Sequence, residues 1–326
     1  MRMLAALHQR LGAFAHRLAE RGEALTARLP WPHATLRTYL VAAMLLATVP
    51  IALLMAWQIA SDLLTQQRRT ETSLQRAAAA LAREVERELV SSIDTLAILA
   101  QFDSIQRNDV AGFKQALLAR SLLRASWDTA YLIDLDGAVV FDTAAPDARL
   151  GERRAATPLF RRVLEQGRPQ VSDLVGDGRS DGPHHMSRYA TAIEVPVVVD
   201  GTVRYVLGAW INATVWQALV ERAGPPQQGF MSVFDRRYRL VARTLAPQRF
   251  VGSAMPPDAA QVIARSPTGL ERLQTLDGGI SYVAWQAVPM AGWGVAVALR
   301  AEPIEAAQRE AIARAITPPP PACCSA

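Results

Sequence analysis

The sequence predicts an α+β fold: a transmembrane helix, a long helix following it, and then two small antiparallel sheets in tandem. Three observations predict it. Residues Thr38 to Ser61 form a run of 24 without a charge, bounded by Arg37 and Asp62. From Leu74 to Leu89 apolar residues recur at spacings of four, three, four and four, the period of one helix face. The segment Leu132 to Gly151 recurs, without gaps and at a constant offset of 101, as Val233 to Gly252.

At about 1.5 Å of rise per residue, residues 38–61 can cross the roughly 30 Å of a hydrocarbon core with some tilt. Tyr39 and Trp57 stand near the ends, where amphipathic rings settle among headgroups, and Pro50 is tolerated in such a helix as a kink. Residues 1–37 carry six arginines against Glu20 and Glu23, a net charge of +4. That charge keeps the tail in the cytoplasm and sends everything after Ser61 to the periplasmic side of the inner membrane, as a single-pass protein. Rich in Ala, Leu and Arg until Pro30 and Pro32, the tail reads as an amphipathic helix on the inner leaflet.

The chain as a whole is +5, which leaves +1 for the 289 residues beyond the tail. The basic character thus belongs to the anchor, and no basic face argues for nucleic acid. An apolar half of the composition excludes disorder as the general state. Cys323 and Cys324 are adjacent at the C-terminus and supply no disulfide framework, so the extracytoplasmic part depends on its core.

Residues 62–125 are a long helix and a helical connection. Leu74, Ala78, Leu81, Val85 and Leu89 make one stripe, with Arg83, Glu84, Arg87 and Glu88 in complementary positions. The stripe serves equally as the stalk of a dimer or as a face packed on the chain's own domain.

From Ser126 short β-rich runs begin. Within the repeat, Asp134, Val140, Thr143, Ala145, Pro146 and Gly151 are identical to Asp235, Val241, Thr244, Ala246, Pro247 and Gly252. Each copy reads as an apolar strand, an Asp-led turn, a second strand, Thr, and a Pro-containing loop closing on Gly. The first copy continues with a helix over 158–166 and strands over 187–199 and 202–211, joined by the hairpin signal Asp200-Gly201. The second continues with a helix over 257–265 and strands near 271–275, 280–288 and 294–299. A helix over 213–221 links them. The modules are therefore 126–222 and 223–301, with 302–326 an exit helix and a low-complexity tail.

The span, the long leading helix and two PAS-like modules carrying the DLDG and FDRRYRLVART hairpins resemble the double Cache sensor domain of bacterial transmembrane receptors, over roughly Asp62 to Pro303. The resemblance implies a small ligand, such as an amino acid or carboxylate, in the first, membrane-distal module. It implies a second, membrane-proximal module that relays the signal, and a homodimer through the long helix. The parent family it points to is the sensor histidine kinases, with a chemoreceptor or diguanylate cyclase input as the alternative. The Arg-x-Trp-Tyr motif of amino-acid-binding members does not occur in RASWDTAY, Arg124 to Tyr131.

A pocket for a charged metabolite needs a few converging polar groups between apolar walls. The candidates are Trp127, Tyr131, Asp142, Arg188 and Tyr189, with Arg188 to hold a carboxylate by a two-point fork and Asp142 to hold an ammonium group. The alternative is that Asp142 and Arg188 pair with each other or face solvent. Gly176, Gly178 and Gly182 lack dinucleotide-binding spacing, and His184 and His185 have no Cys, His or Asp cluster to complete a metal set. No nucleophile elbow occurs either. No catalytic residue, metal or cofactor is expected, and a membrane-anchored periplasmic enzyme is the less favoured reading. Glu302 to Ile316 begins as an exit helix would, but TPPPPACCSA cannot span a membrane and no kinase or cyclase motif follows. The expectation is a sensor half whose output half has been lost by truncation or frameshift, the alternative being that it works through a partner protein.

Overall fold

The computed structural model describes residues 36–119, 123–145, 157–176 and 189–316. The chain divides into two compact units, Met1–Thr65 and Gln66–Ala326. Helix α1 spans Leu36–Leu99, with Pro50 inside it. Its N-terminal stretch exposes Leu40, Met44, Leu46, Leu54 and Trp57. Taken over the described residues alone, no helix is long and apolar enough to cross a membrane.

In the second unit the stripe foreseen on the long helix is buried: Leu74, Ala78, Leu81, Val85 and Leu89 are at most 4% exposed, and Leu96 and Leu99 extend it. Alternate turns of a helix present one face, so the apolar positions are removed from water together while Arg83, Glu84 and Arg87 stay outside. Short helices α2 (Asp103–Gln106) and α3 (Val110–Leu118) turn the chain back, α3 being capped by the Asp109 side chain, which accepts from the Gly112 N–H.

The first sheet contains β1 (Trp127–Asp134), β2 (Val139–Asp142), β3 (Gln170–Val171), β5 (Tyr189–Val199) and β6 (Thr202–Asn212) in the order β2-β1-β6-β5-β3, with β4 (Val175–Gly176) also on β5. Helix α4 (Pro158–Gln166) crosses between β2 and β3. Asp200 and Gly201, both at positive φ, close the β5–β6 hairpin as the Asp-Gly signal requires. Helix α5 (Ala213–Arg222) leads to the second sheet.

There β7 (Gly229–Phe234), β8 (Leu240–Arg243), β9 (Thr268–Gln274), β10 (Ile280–Val288) and β11 (Trp293–Arg300) run in the order β8-β7-β11-β10-β9, the order of the first sheet. Helices α6 (Pro247–Phe250) and α7 (Pro257–Ala264) lie between β8 and β9, and α8 (Ala301–Ile316) follows β11.

The duplication holds atom by atom where it is described. Asp134 Oδ1 accepts from the N–H groups of Asp136 and Ala138, and Asp235 Oδ1 accepts from those of Arg237 and Arg239. Gly137 and Tyr238, the equivalent residues, both have positive φ. Thr143 Oγ1 accepts from the Ala130 N–H at 2.9 Å, as Thr244 Oγ1 does from Met231 at 3.0 Å. Even the register irregularity falls at the same place, Leu132/Ile133 and Val233/Phe234.

One face of both sheets joins α1 in a continuous core that includes Leu81, Leu89, Leu132, Val197, Met231 and Val295. The opposite face of each sheet builds its own cluster: Tyr131, Ile133, Phe160, Val163 and Val206 under α4, and Phe230, Phe234, Leu240, Ile263 and Trp285 under α7.

Candidate functional site

The first sheet's outer face is hollow. Helix α4 starts at Thr157, whose side chain caps the Phe160 N–H, and ends at Gly167 in the left-handed conformation. It lays Leu159, Phe160 and Val163 onto the sheet and leaves a cavity of about 230 Å³ beside them. Apolar walls come from Ile133, Phe160, Leu174 and Trp210; the polar lining comes from Tyr131, Arg162, Asp173 and Glu194, with Arg237 reaching in from the second sheet's β7–β8 turn.

A row across three strands organises it. Tyr131 on β1 pairs with Gly208 on β6, which pairs with Glu194 on β5. A Cβ at position 208 would collide with the Tyr131 ring, so glycine lets the ring lie across the central strand. Its hydroxyl then donates to Glu194 Oε1 at 2.9 Å. Trp210 tilts against the same ring at 6.1 Å between centroids. Glu194 is 3% exposed, so a carboxylate has been placed inside the protein among aromatic groups.

Arg162 supplies the opposing charge. Its Nη2 reaches the Val171 carbonyl at 3.5 Å, and its Nε is buried with no hydrogen-bond partner among the described residues. Burial, and then the positive charge of Arg236, push this guanidinium below its usual range; Arg237 adds to that, while Asp173 and Glu194 act the other way.

The cavity wall at 171–174 is also the joint to the second module. Arg236 Nε donates to Asp173 Oδ1 at 2.8 Å, the Leu174 N–H to Asp235 Oδ2 at 3.0 Å, and Trp293 Nε1 to the Ser172 carbonyl at 3.2 Å. Trp216 and Trp293 meet edge to face at 5.3 Å alongside.

Of the residues singled out from sequence, Tyr131 lines the cavity. Asp142 is its direct cross-strand partner but does not line the cavity; it accepts from Thr129 Oγ1 and from the Ala144 N–H. The structure places Trp127 on the opposite face, where its Nε1 donates to Ser92 on α1 at 3.2 Å. Strict alternation would put residues 127 and 131 together, but an irregularity between Trp127 and Thr129 turns the former over. Tyr189 also lies away from the cavity, its ring filling the space above Gly176 and Gly252. Arg188 lies outside the described residues. Sequence reasoning missed Arg162, Glu194 and Trp210; the one signal available was Glu194 itself, a lone charge inside the apolar strand TAIEVPVVV.

The second sheet's outer face is lined differently. The row equivalent to Tyr131, Gly208 and Glu194 is Ser232, Ala296 and Trp285. A hollow of about 40 Å³ remains around Arg243, and another of about 200 Å³ lies by Phe234, Tyr238 and Trp285. The polar wall residues of the latter, Asp235 and Arg236, are already committed to the joint.

No family model matches the chain, and no curated protein is similar to it. Solved structures do share its fold. The extracellular domain of rpHK1S-Z16, assigned as a histidine kinase, superposes with a TM-score of 0.61 at 17% identity, covering 73% of this chain and 98% of that one. The ligand-binding domain of the Pseudomonas aeruginosa amino acid chemoreceptor PctB, in complex with L-Arg, gives 0.57 at 17% identity over 73% and 98%. That of the Pseudomonas fluorescens chemoreceptor CtaA, with L-isoleucine, gives 0.57 at 14% over 74% and 96%. The chain therefore has the fold of extracytoplasmic ligand-binding domains of histidine kinases and chemoreceptors, the fold its resemblance to double Cache domains implies.

Proposed function

We propose that the chain is the extracytoplasmic small-ligand sensor region of a membrane-bound signalling receptor, the input half of a histidine kinase, with the ligand held in the first-sheet cavity. The observation that carries this reading is the convergence of a buried carboxylate, a half-buried guanidinium and two aromatic groups on one hollow between sheet and helix. Its volume suits a small metabolite, and solved relatives in fold include amino acid receptors. A chemoreceptor or diguanylate cyclase input is the second reading, supported by the chemoreceptor domains of the same fold.

In this reading residues 38–61 anchor the chain in the inner membrane with the N-terminus cytoplasmic. The uncharged run and its exposed apolar side chains support that topology. The modules are 126–222, distal, and 223–301, proximal. A homodimer through the long helix would use its charged outer face, because the apolar stripe is spent on the chain's own core. Ligand binding then shifts a two-state equilibrium in proportion to its differential affinity for the two states.

The test is thermal-shift screening of the full chain in detergent against amino acids, carboxylates and purines. A saturable stabiliser whose effect is lost in Arg162→Ala and Tyr131→Phe supports the reading, and Arg188→Ala tests the residue outside the described set. A stabiliser indifferent to all three substitutions overturns the site, and protection of the region after Asp62 from protease added to spheroplasts overturns the topology.

A further inference from the structure

We propose that the second module's outer face is a binding site for a small guanidinium-type organic cation, and that the chain occupies it with its own Arg243. Position 243 is the equivalent of Asp142 by the repeat offset and by register: Asp142 pairs with Tyr131, and Arg243 with Ser232. The two modules thus place opposite charges at one point of a shared framework.

The surroundings of Arg243 have the composition of a cation receptor. The guanidinium carbon lies 3.9 Å from the centre of the Phe230 ring and 4.6 Å from that of Phe250, so two negative ring faces bracket it. Nη2 donates to Asp277 Oδ1 at 2.7 Å. Asp277 is itself positioned by Thr275 Oγ1 at 2.8 Å and shared with Arg300 at 3.3 Å. The side chain is only 2% exposed, a degree of burial a charge reaches only when a shell is built around it.

The backbone is held as firmly. Gln217 on α5 accepts from the Arg243 N–H at 3.0 Å and donates to its carbonyl at 2.9 Å, so the strand cannot slide the guanidinium out. Ser232, small where the first module has Tyr131, leaves the path across the sheet open to the arginine chain. Arg243 also lines the residual hollow of about 40 Å³, and its buried Nε has no partner among the described residues. The site is therefore filled from within.

Arg243→Ala removes a fragment equivalent to N-ethylguanidinium, and that ion is the probe. In the full chain in detergent, Arg243→Ala should lower Tm by many degrees; millimolar N-ethylguanidinium should recover most of that loss saturably, whereas the neutral isostere N-ethylurea should not. Adding Asp277→Asn should weaken the recovery at least tenfold in concentration. If Arg243→Ala does not accumulate folded, the same comparison is made on refolding yield with either compound present. Unchanged Tm in Arg243→Ala, recovery by neither compound, or equal recovery by both overturns the proposal. The wild-type chain's response to first-module ligands is read separately, so failure here and failure of the sensor reading are distinguishable.

Discussion

The two sheets share strand order, the Asp-led turn, the Thr cap and even the register slip, yet one outer face holds a cavity lined by Tyr131, Arg162 and Glu194 while the other is built around a buried Arg243. The difference comes down to a few positions on one face. Tyr131, Gly208 and Glu194 become Ser232, Ala296 and Trp285, and Asp142 becomes Arg243. A backbone repeat thus sets where side chains point, while side-chain size and charge decide how the space they face is lined.

The equivalent aspartates offer the largest test of that comparison. Asp235 is 1% exposed and accepts from three N–H groups, including that of Leu174 across the joint. Asp134 is half-buried and serves the turn alone. Asp235→Ala should cost about 3 kcal/mol in urea unfolding and Asp134→Ala about 1 kcal/mol, since buried donors left unpaired are the expensive ones. Equal losses would mean the joint contributes nothing.

Next comes the central row. Gly208→Ala puts a methyl group into the Tyr131 ring and should cost about 2 kcal/mol by overpacking. It should also abolish the thermal-shift response by moving the hydroxyl off Glu194. The reciprocal Ala296→Gly should cost about 1 kcal/mol and open no response.

Trp127→Phe is smaller still. It removes the hydrogen bond to Ser92 and should cost about 1 kcal/mol while leaving any ligand response intact. A lost response would return Trp127 to the site.

The smallest effect expected is in pH. Burial acts to raise the Asp277 carboxyl, but hydrogen bonds from Thr275, its own N–H and Arg243, with the charge of Arg243, outweigh it and hold the group below its ordinary 3.8. The folded state binds its proton later than the unfolded chain does. This stabilisation is complete above 3.8 and drains as pH falls through the folded-state value. Acid titration followed by circular dichroism should therefore show Asp277→Asn losing less stability than wild type in that interval.

Much of this architecture was legible along the chain. The stripe from Leu74 to Leu89, the Asp200-Gly201 hairpin and the paired Asp-to-Thr segments all depend on residues within a turn or two of one another, and the structure realises each. Of the candidate cavity's lining, only Tyr131 was among the residues singled out along the chain. Trp127 shares the parity of Tyr131, and nothing local announces the irregularity that turns it toward α1. Glu194 could be noticed as an odd charge, but its partner lies 63 residues away, and Arg162 arrives from a helix whose placement over the sheet is a matter of packing.

By itself the sequence determined the order and type of the elements, the repeat and the apolar faces, because periodicity and turn chemistry are short-range properties of a chain. Only the tertiary structure decided what each of two equivalent faces surrounds. That choice depends on which side chains from distant strands are brought within a few ångströms, where a glycine beneath a tyrosine leaves space and an arginine between two phenylalanines removes it.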